Sequence, residues 1–312
     1  MRFIKTMEAL LKKELNTNTW KPHGRAGGGC ISRGEGFLTD LGPVFVKVNG
    51  EKGARQMFEG EFASLDAIHK TQTIRVPKPI KVIDNPAGGA YLVMEYMDMK
   101  NSGKFAAELG EKLARLHLYN EEVAKKLQRQ ESSVHQSTGP KYVDMFGFDI
   151  TTCCGYNPQD NTWNADWVSF FTNQKLKPQI EMIEKEYRDK EMRELWPQLQ
   201  RKIPELFKDI EVKPALLHGD LWGGNVSETD DGPLIFDPAS FYGHAEFEFG
   251  IATMFGGFGR TFFDAYHKLI PKSPGFEKRL PLYQLFHYLN HWNHFGTGYR
   301  SQSLSRMRGL AK

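Results

Sequence analysis

Apolar residues near the start of the chain fall at Phe3, Ile4, Met7, Leu10, Leu11 and Leu15, the spacing of one helix face. The period then shortens. Gly42-Pro43-Val44-Phe45-Val46-Lys47-Val48 reads as a strand, with one charge inside an apolar run. Helical spacing returns over 54–70, where Met57, Glu61, Leu65 and Ile68 share a stripe and Glu59 and Asp66 fall on the other side. Residues 80–83 and 90–95 form two further strand patterns around a turn at Asn85-Pro86-Ala87-Gly88-Gly89. After an extended stretch over 95–99 the pattern is mostly helical. It covers 106–127 through Leu109, Leu113, Leu116 and Leu127, and 167–206 through Phe170, Phe171, Leu176, Ile180, Ile183, Tyr187, Leu195, Leu199 and Ile203. An apolar helix around 249–255, a glycine turn over 256–259, and a final helical pair comprising 280–295 and its neighbour follow; 128–141 reads as a polar exposed loop. The fold class is α+β. It has a small antiparallel-sheet lobe over 1–95 and a mostly helical lobe over 96–312.

Composition narrows the function classes. The chain has 312 residues, with 41 Lys and Arg against 38 Asp and Glu, so its formal charge of +3 makes no electrostatic case for nucleic acid or a membrane surface. No apolar run approaches the length of a membrane span. The three cysteines, Cys30, Cys153 and Cys154, are too few for a disulfide framework, which suits a reducing, cytoplasmic setting. The N-terminal segment lacks the apolar core of a signal peptide, and Glu8 and Glu14 argue against a transit peptide; Met1 and Met7 are both candidate starts.

Three stretches carry chemistry. The first is 216–226, Leu-Leu-His-Gly-Asp-Leu-Trp-Gly-Gly-Asn-Val, followed by Leu234-Ile235-Phe236-Asp237. The spacing is His-x-Asp-x-x-x-x-Asn and then an Asp ending an apolar strand, the order in which kinases supply a base and two magnesium ligands. A turn between two strands would use the same Gly, Asn and Asp residues. The second is glycine-rich, from Gly24 through Gly27, Gly28, Gly29 and Cys30 to Gly36. It departs from G-x-G-x-x-G, and a phosphate cradle or a surface turn would each explain it. The third is the pair Lys47 and Glu61. Glu61 sits in the buried row of its helix and needs a partner, because an unpaired buried carboxylate costs several kcal/mol; Lys47 is the candidate, against a solvent-facing Lys and a helix-edge Glu.

His117 reads as a packed structural histidine. His287, His291 and His294 stand at i, i+4 and i+7, which raises zinc. No Cys or acidic residue accompanies them nearby, so a pocket wall or satisfied core histidines are the better readings. Cys153-Cys154 has no zinc spacing and reads as small buried residues.

Taken together, 27–32, 43–48, 55–61, 217–225, 237–244 and 289–296 resemble the fructosamine-3-kinase and ketosamine-3-kinase family, relatives of the aminoglycoside and choline kinases. The resemblance implies a protein-kinase-like fold, ATP with Mg2+, and phosphorylation of the C3 hydroxyl of ketosamines on free amines and glycated proteins. The phosphate then breaks down, releasing the amine, so the implied role is deglycation and protein repair. Asp220 matches the family's general base, and Asn225 and Asp237 its metal ligands. Lys47 and Glu61 match the phosphate-holding pair, Gly28, Gly29 and Cys30 the phosphate loop, and Glu95, Tyr96 and Met97 the adenine-binding linker. Gly219 stands where protein kinases have Arg, and no activation segment follows Asp237, so control by activation-loop phosphorylation is not expected. Trp222 is placed to stack on the sugar, with His291 and His294 lining the same pocket. The expected state is a monomer, with Cys30 a redox candidate and a disulfide-linked dimer through it an alternative. Fructosamine and ribulosamine or psicosamine acceptors stay open, the wording of 27–32 and 286–296 leaning to the ketosamine-3-kinase branch. The alternatives are a kinase for an aminoglycoside- or choline-like substrate, whose acidic cluster would have to come from Glu246 and Glu248, and a nucleotide-binding pseudokinase scaffold.

Overall fold

The computed structural model describes residues 2–24, 27–28, 33–100, 103–130, 139 and 141–312. The helix expected at the start is α1 (Arg2–Leu15), whose Leu11 and Leu15 are buried against Val44, Val46 and Val93 of a sheet. That sheet contains β1 (Lys21–Pro22), β2 (Gly27–Gly28), β3 (Arg33–Thr39), β4 (Gly42–Asn49), β5 (Pro79–Asp84) and β6 (Ala90–Glu95). Its order is β1-β3-β4-β6-β5 with β2 beside β3, and every pairing is antiparallel. Alternation along β4 sends Val44 and Val46 to the α1 face. Phe45 and Lys47 therefore point to the opposite face, toward α2 (Ala54–Thr71), so Lys47 is not the solvent-facing residue that alternation alone permitted.

Helix α2 is a wall shared by the sheet and the helical part. Its Phe58, Leu65 and Ile68 are buried in one cluster with Leu92 and Met94 of β6 and with Leu113 and Leu116 of α3 (Ala106–Gln130). Gly60 lies flush on the backbone of Thr151, where an added Cβ would come within 2.6 Å of the carbonyl oxygen. The Ser240 amide donates to Ser64 Oγ at 3.1 Å, and the Ile235 amide donates to the Arg75 carbonyl at 3.0 Å just past the helix.

The helical part follows the predicted pattern with several differences. Helix α3 runs three residues further, to Gln130, and residues 131–138 and 140 of the expected polar loop lie outside the described residues. The 151–156 stretch supplies β7 (Cys153–Cys154), paired with β8 (Asn157–Pro158). Next come α4 (Trp167–Phe170), a π-helical turn over Phe171–Leu176, α5 (Lys177–Tyr187) and α6 (Lys190–Lys202). Asp166 and Asp189 start α4 and α6 by accepting from the amides of Ser169 and Met192.

Strands β9 (Ala215–Leu216) and β12 (Tyr242–Gly243) pair with each other, and β10 (Val226–Thr229) pairs with β11 (Gly232–Ile235). The apolar helix is α7 (Glu248–Ala252), shorter than its pattern: Thr253 Oγ1 turns back to the Phe249 carbonyl, and Gly256 and Gly257 take positive φ. Helix α8 (Arg260–Leu269), which periodicity did not single out, packs along α3. Helices α9 (Phe276–Phe295) and α10 (Arg300–Leu310) complete the chain. Arg279 of α9 is buried and grips Glu246 with two hydrogen bonds of 2.7 and 2.8 Å. Among the described residues, no helix is long and apolar enough to cross a membrane.

Candidate active site

The 218–225 loop runs between β9 and β10, and its shape is set by residues behind it. The Glu248 carboxylate accepts from the amides of His218 at 2.7 Å and Gly219 at 2.9 Å. Burial pushes the Glu248 carboxyl up, but His117, His218 and the Gly219 amide outweigh it and hold the group below its ordinary range. His117 also bonds Tyr266 at 2.7 Å, the structural role expected of it. His218 gives its Nε2 proton to the Phe236 carbonyl at 2.9 Å, so its Nδ1 is the acceptor for the Asp220 amide at 3.2 Å. Gly219 has φ of +86°, and a Cβ there would meet the Ala239 carbonyl oxygen at 2.3 Å, which explains why no larger residue stands at this position.

This frame presents Asp220 to a cavity of about 340 Å³. Burial, then the nearby Asp237 and Glu248 charges, push its carboxyl up to about 7. Asn225 spends its amide nitrogen on the Asp220 carbonyl at 2.9 Å, which leaves its side-chain oxygen for another partner. Asp237 lies beyond β11 with φ of +58°, a strained value for a residue other than glycine. Lys47 Nζ lies 2.6 Å from Glu61 Oε1 and 2.5 Å from Asp237 Oδ1, so β4, α2 and the segment after β11 meet at one ammonium. Burial would lower the Lys47 value, yet the Asp237 and Glu61 charges dominate and raise it; burial raises Glu61 against the pull of Lys47.

The same cavity is lined by Trp222, His291 and His294, the expected acceptor residues. Trp222 is 39% exposed and packs edge-on against Phe255, with ring centroids 6.3 Å apart. His294 is fixed through both nitrogens: Nδ1 donates to the Asn290 carbonyl at 2.8 Å, and Nε2 accepts from the Tyr156 amide at 3.0 Å. His291 gives Nδ1 to the His287 carbonyl at 2.7 Å. With those nitrogens committed to their own helix, the trio does not converge on a metal.

Not every expected residue joins this cavity. Glu95, Tyr96 and Met97 do not line it; the Glu95 side chain is spent on Arg75 and the Lys78 amide, and the Tyr96 amide donates to the Pro43 carbonyl at 3.3 Å. Gly28 is described only as part of β2, and Gly29 and Cys30 lie outside the described residues. Cys153 and Cys154 are wall residues of the cavity rather than filler, although Cys154 is buried. Sequence reasoning missed the task of Glu248. The argument applied to Glu61, a carboxylate in an apolar row that must find a partner, fits Phe247-Glu248-Phe249 as well.

Over 309 residues the chain is 58% identical to the ketosamine-3-kinase of Mus musculus, covering 98% of this chain and 100% of that protein. It is 41% identical over 283 residues to the chloroplastic protein-ribulosamine 3-kinase of Arabidopsis thaliana, covering 90% and 80%. A solved structure from Haemophilus somnus, proposed to be a fructosamine-3-kinase, matches in fold with a TM-score of 0.77 at 22% identity, covering 97% of this chain and 96% of that one. The fructosamine kinase family model matches residues 3–312, and with Lys47, Glu61, Asp220, Asn225 and Asp237 gathered around one cavity, the chain belongs to the fructosamine kinase family.

Proposed function

We propose that this protein is an ATP-dependent kinase that phosphorylates the C3 hydroxyl of ketosamines, free or protein-bound, and thereby promotes deglycation. The observation that carries the reading is the convergence of Asp220, Lys47, Glu61, Asn225 and Asp237 on a cavity walled by Trp222, His291 and His294. Near-full-length similarity to a ketosamine-3-kinase supports the acceptor class. The name of the Arabidopsis relative favours ribulosamines within it; psicosamines and fructosamines are part of the proposal from the resemblance in sequence alone.

In this reading Asp220 orients the acceptor hydroxyl and takes its proton, a task suited to a carboxyl whose value lies near neutrality. Lys47, held by Glu61, steadies the ATP phosphates; the 95–97 linker, outside that cavity and with the Glu95 and Tyr96 amides already on the Lys78 and Pro43 carbonyls, is left to meet the adenine with its remaining backbone groups. Asn225 and Asp237 offer only hard oxygen atoms once the Asn225 nitrogen is spent, a donor set that fits Mg2+. When bound, Mg2+ supplies charge neutralisation of the phosphates. Trp222 gives the sugar a half-exposed apolar face. Residues 1–95 and 96–312 act as two lobes about the linker.

Cysteine usage supports a reducing compartment, taken as cytoplasmic. Cys30 as a redox switch, with a disulfide-linked dimer against a resting monomer, is part of the proposal on sequence alone; equal peroxide sensitivity in Cys30→Ser removes it. An aminoglycoside- or choline-like acceptor is disfavoured because Glu246 is engaged by Arg279 and Glu248 by the 218–219 amides. The deciding assay is ATP consumption with ribuloselysine and fructoselysine side by side, with Asp220→Asn as the blank. Turnover on neither above that blank ends the proposal.

A further inference from the structure

Asp220 has two neighbours that the phosphoryl-transfer reading does not use. The Cys154 sulfur from β7, a ring nitrogen of His287 from α9 and a carboxylate oxygen of Asp220 all lie within 4.8 Å of one another. His287 is fully buried, and neither of its ring nitrogens has a hydrogen-bond partner. Leaving such a group dry and unpartnered is unfavourable, and a ligand on either nitrogen would relieve it. Burial also keeps the imidazole neutral, the form with a lone pair to give. The Asn290 side-chain amide donates to Cys154 Sγ at 3.1 Å, which orients the sulfur; burial and the Asp220 charge push the thiol well up, so it keeps its proton until a cation displaces it. Zinc on His287, His291 and His294 had no Cys or acidic partner along the chain; the fold brings one of each to His287 instead.

We propose that Cys154, Asp220 and His287 form a site for a borderline-soft divalent cation, Zn2+ foremost, whose occupation inhibits the enzyme. One sulfur, one nitrogen and one carboxylate oxygen suit Zn2+, whereas Mg2+ prefers oxygen alone and is not held by a thiolate. Zinc bonds of about 2.0–2.3 Å in tetrahedral geometry require donors now as much as 4.8 Å apart to draw together by up to about 1.5 Å, a closure that rotation of the side chains on binding would have to supply. On binding, the Cys154 thiol releases its proton to solvent as the sulfur–zinc bond forms, and no electrons are exchanged. Cys154 and Asp220 both line the cavity, so a fourth position for water opens into it. The binding half stands on these donors; the inhibitory half rests on the reading of Asp220 as base.

The test separates the two. Full-length protein stripped with a chelator is titrated with Co2+ and then Zn2+, in excess Mg2+ and without substrates. One Co2+ should bind with a thiolate-to-cobalt band in the near ultraviolet that Zn2+ abolishes. Cys154→Ser, with Cys30 and Cys153 intact, should lose the band, and both it and His287→Asn should weaken Zn2+ binding by about tenfold or more. A band that survives Cys154→Ser, or unchanged Zn2+ affinity in that variant, overturns the site even should His287→Asn not fold. Zn2+ should also inhibit ribuloselysine phosphorylation over the concentrations at which it binds, each variant being compared with its own zinc-free rate. Tight binding with turnover unaffected leaves the site standing and overturns Asp220 as the base.

Discussion

Lys47 touches Asp237 as closely as it touches Glu61, at 2.5 and 2.6 Å. One ammonium thus balances two carboxylates that reach it from different parts of the chain. Lys47→Met leaves both without a counter-charge. We expect kcat/KM to fall by about a hundredfold or more, the scale for losing one preorganised electrostatic contact. The melting temperature should fall with it, because a buried charge loses its partner. A variant with normal kcat/KM would remove Lys47 from the chemistry.

Glu248 makes its contribution from behind the loop. Glu248→Ala leaves the amides of His218 and Gly219 unpaired, at about 1–3 kcal/mol each. Glu248→Gln keeps one acceptor and should fall between wild type and Ala in urea unfolding, with kcat following the same order. Equal stability of all three proteins contradicts the assignment.

The pH dependence follows from Asp220. Its ordinary value of 3.8 is pushed up to about 7 by burial, with Asp237 and Glu248 adding to the effect. As a base it must be unprotonated, so kcat/KM should climb with pH toward a plateau above about 7. Stability runs the other way: between about 4 and 7 the folded protein holds a proton that the unfolded chain has released, so this group's contribution is lost as pH rises through that window. Asp220→Asn, which is inactive in this reading, should remove the stability slope; a slope that persists in Asp220→Asn assigns the titration to another group.

The acceptor wall offers a geometric test. Gly155 has φ of +68°, and a Cβ would come within 2.2 Å of His294 Nε2, the atom that accepts from the Tyr156 amide. Gly155→Ala should raise the KM for ribuloselysine by several-fold while leaving the KM for ATP unchanged. Trp222→Ala should do the same through loss of the stacking face. A rise in the ATP KM alone would place both residues on the wrong side of the cleft.

Arg279 provides the contrast. It is buried with Glu246, away from the cavity lining, and breaking such a pair costs about 3–5 kcal/mol. Arg279→Met should lose stability on that scale in urea unfolding, with both KM values unchanged at a temperature where the variant is folded. A shifted ketosamine KM would mean that the pair reaches the site.

What could be read from sequence depended on how local the cause was. The β4 strand, the α2 stripe and the 218–237 motif carry their patterns within a few residues, and Lys47 and Glu61 could be matched because a carboxylate in an apolar row demands a partner. Helix α8 was harder to see because its phenylalanines follow a glycine turn and merge with the apolar run before it. The positions of Cys154 and His287 beside Asp220 depend on three separate elements docking together, so no spacing along the chain announces them. Glu246 and Glu248 illustrate the converse: as sequence they form an acidic cluster, and the fold points each inward to a different task.

Helix α2 has one further consequence. It is fixed to the helical part at three heights, by Gly60 against Thr151, by Ser64 under the Ser240 amide, and by Arg75 beside β11. An outward swing of the helix that carries Glu61 would have to break all three at once. Lys47 and Glu61 are 2.6 Å apart with all three tethers in place, so pairing them needs no swing of α2.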